Sequence, residues 1–303
     1  MKFTGVIPIL VTPFRDDESF DDESMINLVK FMKSIGVDGI TVLGVLGEAN
    51  RLSDREREAV LRSAVKAAGG MPVIAGASAS GTRATCDLAQ MAQDLGASAV
   101  MITPHAEPVP SDERVFRHFS VITNATKLPV VLQDHPASSG VHMPTSLMLR
   151  MIGELPAISC IKEEAVPTAP KIRALKQGMA GQTIPILTGL GALYGLFDLE
   201  AGSDGFNTGF AFPEVLMAMV VAARAEDWQR VREIYSRFLP LIVFEQQPGV
   251  AVRKEILRLR ATIESGCVRQ PSAPLNPETG KQVAQLIDRM LPDTDLTRPI
   301  KTI

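Results

Sequence analysis

The sequence has few cysteines, few histidines and little net charge. Its three cysteines, Cys86, Cys160 and Cys267, are odd in number and far apart, so neither a disulfide framework nor a zinc site is indicated. The four histidines show no H-E-x-x-H or comparable spacing of metal ligands. We therefore predict no structural metal. The cysteine usage fits a reducing cytoplasm.

Other absences exclude classes of partner. The net charge is only -3, and no dense run of lysine and arginine occurs, so neither nucleic acid nor an anionic membrane is an expected partner. The N-terminal segment reaches Pro8 too soon for a signal peptide, and no apolar run is long enough to span a membrane. With 303 residues, 46% of them hydrophobic, the chain can bury one large core or two modest ones. We expect a cytoplasmic protein.

Short apolar segments alternate with helical patterns over the first two thirds of the chain. Eight segments are predicted strands: 6–12, 39–43, 72–76, 98–103, 129–134, 157–162, 185–189 and 204–208. Three of them begin at a proline and a fourth, 157–162, directly follows Pro156; a missing N–H at a strand's start costs no ladder hydrogen bond. Between them, Ser53 to Glu56 and Ser111 to Glu113 are N-terminal signals of helices. The pattern favours a (β/α)8 TIM barrel of the α/β class over an open, doubly wound sheet.

The strand pattern stops after Phe212-Pro213. We predict a barrel over residues 1–212 and a helical extension over residues 213–303 that packs on it. Nothing in the sequence is low in complexity, so no disordered linker is indicated.

In a parallel barrel the functional site lies at the carboxyl ends of the strands. Lys162 ends the apolar segment 157–162, where burial of the amine favours its neutral, nucleophilic form. The alternative is structural, because charged residues after a strand commonly mark its exit into solvent. Glu163 and Glu164 fit that alternative.

Two other strand ends carry candidate groups. The turn from Gly44 to Glu48 contains two glycines, which let backbone N–H groups point at a carboxylate, although glycine also ends strands for steric reasons. On the fifth strand Gln133 and His135 share one face, and Asp134 takes the other. His135 could carry protons near neutral pH, whereas Gln133 can only form hydrogen bonds. Both His135 and His105 could equally be ordinary loop histidines.

These features resemble the dihydrodipicolinate synthase and N-acetylneuraminate lyase family of class I lyases. The resemblance covers nearly the whole chain and rests on the following segments: Val11-Thr12-Pro13-Phe14, Gly39 to Glu48 with Glu56, Thr103-Pro104, Pro136 to Gly140, Ile161-Lys162-Glu163 and Arg269 to Leu275. It implies that Lys162 is the Schiff-base lysine and that the turn from Gly44 to Gly47 holds the carboxylate of a 2-oxo acid. Candidate substrate contacts are Thr12, Gly44, Val45, Leu46, Gly47, His105 and Phe206.

The chain departs from the family pattern at several positions. Val45 and Leu46 stand where the family has two threonines, and Gln133 stands where it has a proton-transferring tyrosine. The substrate-binding arginine of the synthase matches Ser138, and the tyrosine that it lends across its dimer interface falls at about His105 or Ala106. The chain is therefore not expected to be a true dihydrodipicolinate synthase.

We predict a Schiff-base lyase, an aldolase or a hydro-lyase, that acts on pyruvate or another 2-oxo acid through Lys162 and needs no cofactor. In this scheme Gln133 binds the substrate and His135 carries protons. An alternative is an impaired barrel that binds a 2-oxo acid as a sensor or partner protein. A third is a barrel with other chemistry in which Lys162 is structural. The resemblance also implies a homo-oligomer, a dimer or a tetramer.

Overall fold

A computed structural model describes residues 3–109, 111–179, 181, 184–247 and 249–301 of the protein. Eight strands form its centre: β1 (Gly5–Val6), β2 (Ile40–Val42), β3 (Val73–Gly76), β4 (Ala99–Ile102), β5 (Val130–Asp134), β6 (Ile158–Glu163), β7 (Ile186–Thr188) and β8 (Gly205–Phe206). The ends of each strand lie within two residues of the predicted ends, except for β1, which ends at Val6, where its predicted segment 6–12 begins.

Twelve α-helices surround or follow the strands: α1 (Asp22–Ile35), α2 (Asp54–Ala68), α3 (Thr82–Asp94), α4 (Asp112–Ala125), α5 (Pro136–Ser139), α6 (Thr145–Glu154), α7 (Thr168–Gly178), α8 (Gly195–Glu200), α9 (Pro213–Arg224), α10 (Trp228–Phe244), α11 (Val250–Leu259) and α12 (Pro277–Met290). The predicted capping box is present, since Ser53 accepts from the Glu56 N–H and Glu56 accepts from the Ser53 N–H. Among the described residues, no helix is long and apolar enough to cross a membrane.

The strands are all parallel and pair in the order β1-β8-β7-β6-β5-β4-β3-β2. Beyond the end of β1, the Leu10 N–H donates to the Thr41 carbonyl and the Thr41 N–H donates to the Pro8 carbonyl, which joins the two ends of the sheet. This closure confirms the predicted TIM barrel.

Side chains alternate between the inside and the outside of the barrel wall. The interior is filled by apolar residues: Phe3, Ile7, Ile9, Ile74, Ala99, Met101, Val131, Cys160 and Leu187. Because Val131 and Cys160 point inward, Gln133 and Lys162, two residues further on, do so as well. The apolar interior of the barrel therefore ends next to these two polar side chains.

The C-terminal helices extend the barrel on one side. Helix α9, the first element after the predicted boundary at residue 212, packs against β1 and α8. Helices α10 to α12 make up the rest of the predicted extension. It is fastened by a buried ion pair in which Lys254 Nζ lies 2.7 Å from Glu48 Oε1.

Candidate active site

Strands β5 and β6 place two polar side chains next to each other inside the barrel. Gln133 and Lys162 are directly paired in the parallel ladder, and both are buried, with Lys162 only 2% exposed. The lysine stem is thus packed in the barrel interior while its amine faces the carboxyl ends of the strands. This is the position that the sequence predicted for Lys162.

A buried carboxylate, that of Glu164, lies beside the lysine. Its Oε2 atom is 3.1 Å from Lys162 Nζ and accepts a hydrogen bond of 2.7 Å from Gln133 Nε2. Its Oε1 atom accepts from the Leu190 N–H at 3.0 Å, in the turn after β7. A Cβ atom at Gly189 would overlap Oε1, so only glycine leaves room for the carboxylate there. Glu164 is therefore fixed by two neighbouring strands.

Burial and pairing shift the pKa values of the two ionisable groups. Burial lowers the pKa of Lys162, against the opposing effect of the Glu164 carboxylate. Burial also tends to raise the pKa of Glu164, but the charges of Lys162 and His135 and the hydrogen bonds from Gln133 and Leu190 outweigh it, so that pKa lies below its usual range. An amine with a lowered pKa beside an ionised carboxylate can lose and regain a proton locally.

The sequence interpretation missed Glu164. Glu163 and Glu164 entered it only as residues that fit the alternative of a strand's exit into solvent, but they are 0% and 6% exposed. The signal that could have found Glu164 is the period of two along a strand, because a residue two positions after Lys162 shares its face. The Glu163 side chain takes the opposite, outer face.

The turn after β2 supplies backbone N–H groups. The Thr12 hydroxyl donates to the Gly47 carbonyl at 2.6 Å, and the Gly47 N–H donates to the Gly44 carbonyl, so the turn is held closed. The N–H groups of Val45 and Leu46 donate no hydrogen bond to the described residues. Two unused donors at this position are suited to a carboxylate.

A cavity of about 220 Å³ opens at this end of the barrel. Its lining is mostly small or polar: Leu43, Gly44, Val45, Ala49, Asn50, Arg57, Gly76, Ser78, Met101, Thr103, His105, Gln133, Ser138 and Ser139. The predicted contacts Gly44, Val45 and His105 therefore line one space together with Gln133.

Other predicted contacts lie elsewhere. Thr12 is buried beneath the turn, and Leu46 packs toward the barrel interior. Phe206 pairs with Thr188 in the sheet and is buried among the C-terminal helices, outside the barrel wall. The expectation that Phe206 contacts a substrate does not agree with this placement, since the period of two turns its side chain outward.

His135 lies at the edge of the site. Its Nδ1 is 2.7 Å from the Ser138 hydroxyl, and burial lowers its pKa, so the neutral ring is favoured. Glu164 contacts Lys162 directly, whereas the hydrogen bond of His135 goes to Ser138. The role of His135 as proton carrier stays a prediction.

On the outer face of β5 and β6, two acidic side chains are buried between the barrel wall and α7. Asp134 and Glu163 are directly paired in the ladder, and Lys171 forms an ion pair with Asp134 and donates to the Met143 carbonyl at 2.7 Å. Burial, followed by the charge of Asp134, raises the pKa of Glu163 to about 9. One carboxyl oxygen of each acid, Asp134 Oδ1 and Glu163 Oε2, is buried without another partner, as expected of two acids that share a proton.

Sequence comparisons agree with this architecture. The dihydrodipicolinate synthetase family matches residues 2–290. L-2-keto-3-deoxyarabonate dehydratase from Azospirillum brasilense is 30% identical over 297 residues, covering 96% of this chain and 96% of that protein. 4-Hydroxy-tetrahydrodipicolinate synthase 1 from Halalkalibacterium halodurans is 29% identical over 299 residues, covering 95% and 97%.

Solved structures give the same result. Dihydrodipicolinate synthase from Rhodopseudomonas palustris is 35% identical with a TM-score of 0.90, covering 94% of this chain and 97% of that one. A prophage protein of the dihydrodipicolinic acid synthase family from E. coli K12, in complex with pyruvate, is 27% identical with a TM-score of 0.88, covering 95% and 98%. These likenesses confirm the predicted family. The chain belongs to the dihydrodipicolinate synthetase family.

Proposed function

We propose that this protein is a class I hydro-lyase in which Lys162 forms an imine with a 2-oxo acid and Glu164 moves the protons. The observation that carries the proposal is the buried Glu164 carboxylate, 3.1 Å from the lysine amine and hydrogen-bonded to Gln133. Glu164 supplies an acid/base group in a site where Gln133 stands at the position of the family's proton-transferring tyrosine.

The reaction begins with attack of the Lys162 amine on the C2 carbonyl carbon. Loss of one water from the carbinolamine leaves a protonated imine, whose positive charge takes the place of the ammonium beside Glu164. The substrate carboxylate would meet the N–H groups of Val45 and Leu46, which lie at the turn after β2. Gln133 would keep Glu164 oriented toward the reacting carbons.

Elimination then needs one proton acceptor and one proton donor, and Glu164 can be both in turn. Its carboxylate takes a proton from C3, which converts the protonated imine into a neutral enamine. The resulting carboxylic acid protonates the hydroxyl on C4 as the C–O bond breaks, so one water leaves and a conjugated imine remains. Hydrolysis of that imine frees Lys162 and the unsaturated 2-oxo acid. The similarity to a 2-keto-3-deoxy acid dehydratase supports C–O rather than C–C cleavage.

Proton exchange with deuterated water tests the proposal without knowledge of the natural substrate. Pyruvate should lose its methyl proton signal in D2O as the enamine forms and reverses. We expect Lys162→Ala to abolish the exchange and Glu164→Gln to slow it by roughly 10²-fold to 10⁴-fold, the usual contribution of a general base. Exchange at the wild-type rate in Glu164→Gln would assign the proton transfer to another group, with His135→Ala as the next variant. No exchange in the folded wild type would favour the non-catalytic barrel.

A further inference from the structure

The cavity lined by Gln133, the ladder partner of Lys162, has one permanent charge in its described lining, that of Arg57. This residue lies in the first turns of α2, and its side chain is only 15% exposed. Among the described residues that line the cavity there is no carboxylate. This charge comes from α2, a different element from the strand that carries Lys162.

The guanidinium of Arg57 is poorly satisfied by the protein itself. Its Nε donates to the Leu52 carbonyl at 3.4 Å, and its acidic neighbour, Asp54, is 4.0 Å away and 89% exposed. Such an exposed partner contributes little in water. Its two terminal nitrogens, the pair that binds a carboxylate in the bidentate geometry, have no hydrogen bond to the described residues.

A second unsatisfied group lies in the same wall. Thr103 is 7% exposed and lines the cavity, yet its hydroxyl oxygen is buried without a partner among the described residues. A buried hydroxyl in this state is normally completed by a ligand or by water. Arg57 and Thr103 come from α2 and the end of β4, so two separate elements leave donors unused toward one space.

We propose that the site takes a 2-oxo acid whose far end carries a second carboxylate, and that Arg57 binds this carboxylate. The inference rests on the proposed function, because the far end is defined relative to the imine at Lys162. The cavity volume is roughly seven times the ~30 Å³ share of one water molecule in liquid water. That leaves room for a chain longer than pyruvate. Thr103 would meet a hydroxyl along this chain.

Two compounds of equal length isolate the effect of the second carboxylate. 2-Oxoadipate and 2-oxohexanoate both have six carbons and differ only in a terminal carboxylate or methyl group. Half-saturating concentrations are measured by borohydride trapping on Lys162 and, independently of any imine, by titration calorimetry. We expect the wild type to bind 2-oxoadipate at least about tenfold more tightly, as for a hydrogen-bonded charged pair.

Variants assign the preference to one side chain. Arg57→Ala should bring the ratio of the two compounds' binding affinities close to one. Arg57→Lys should keep part of the preference for the dicarboxylate, because lysine keeps the charge but loses the paired donors. Arg55→Ala removes an exposed arginine of the same helix that does not line the cavity, so its ratio should equal the wild-type ratio.

Three results would overturn the inference: no preference in the wild type, the same preference in Arg57→Ala, or a parallel loss of pyruvate trapping in Arg57→Ala. The last would mean that Arg57 serves the reacting end of the substrate. If the proposed function is wrong, the wild type forms no pyruvate adduct. Calorimetry still measures the relative affinities of 2-oxoadipate and 2-oxohexanoate, so the two failures can be told apart.

Discussion

At the scale of single residues, the pairing of Lys162 with Glu164 determines when the amine can react. The carboxylate favours the ammonium form, and burial disfavours it. In Glu164→Gln only burial remains, so the pKa of Lys162 should fall further. We expect the acidic limb of the pH profile for pyruvate trapping to move to lower pH. The measurement is the initial rate of trapping between pH 5 and 9, with the surface variant Glu58→Gln as control; an unshifted limb would contradict the pairing.

The acid pair behind the site makes a separate prediction about stability. The pKa of Glu163 is raised to about 9 in the folded protein, whereas an unfolded glutamate titrates near 4.5. Between these values the folded state holds a proton that the unfolded state lacks, so the free energy of unfolding should fall as pH rises through this window. The slope has an upper limit of about 1.4 kcal/mol per pH unit for one proton.

Glu163→Gln removes this proton but keeps a neutral group able to donate to Asp134. The free energy of unfolding, measured with urea between pH 5.5 and 8.5, should then depend less steeply on pH than in the wild type. The charges that face the pair are those of Lys171 and His142, which the variant leaves in place. An identical slope in variant and wild type would show that Glu163 is ionised when folded.

The residues themselves differ in how far the sequence could predict them. Lys162, Gln133 and the opposite orientation of Asp134 follow from strand ends and the period of two. The same rule places Glu164 on the face of Lys162. A glutamate at the end of a strand nevertheless suggests exposure to solvent, because nothing in the local sequence indicates that another segment covers it. The covering segment is the turn after β7. Its residue Leu190, which donates to Glu164, lies 26 positions further along the sequence.

At the scale of elements, the turn after β7 shapes the site as much as β6 does. In Gly189→Ala the new methyl group would overlap Glu164 Oε1 and push the carboxylate away from Lys162. We expect the rate of pyruvate proton exchange to fall more than about tenfold, with a loss of roughly 1 to 3 kcal/mol in unfolding free energy from overpacking.

A matched substitution separates this effect from the general cost of replacing glycine. Gly153 is exposed in α6, and a Cβ there would meet nothing within 4 Å. Gly153→Ala should leave proton exchange unchanged and raise stability by about 0.4 to 1 kcal/mol. If both alanine variants behave alike, Gly189 does not control the position of Glu164.

Element types and order were predictable because each βα unit repeats the same signals. Proline or glycine precedes most strands, and serine caps α2 and α4. The division between barrel and extension stays a prediction. In sequence α9 continues the helical pattern of the extension, whereas in the structure it packs against β1.

At the scale of the whole molecule, the extension is fastened to the turn that holds the predicted carboxylate site. Glu48 follows Gly47 directly and is bound by Lys254 from α11, by Arg51, and by the Arg269 N–H. Lys254 also donates to the Cys267 carbonyl at 2.6 Å. No local pattern predicts this cluster, because Lys254 and Arg269 each lie more than 200 residues from Glu48 in the sequence.

Lys254→Met should therefore destabilise the protein by about 3 to 5 kcal/mol, the cost of leaving one partner of a buried pair alone. The exposed pair of Lys281 and Glu278 provides the comparison, and Lys281→Met should cost less than about 1 kcal/mol. Urea unfolding measures both. Equal effects of the two substitutions would mean that the Glu48 cluster does not join the extension to the barrel.

The most direct test of the central claim is borohydride reduction in the presence of pyruvate, followed by intact-mass and peptide analysis. The account predicts one reduced adduct, located on the peptide that contains Lys162 and absent from Lys162→Ala. An adduct on another lysine, or none on the folded wild type, would contradict the proposal that this protein acts through an imine at Lys162.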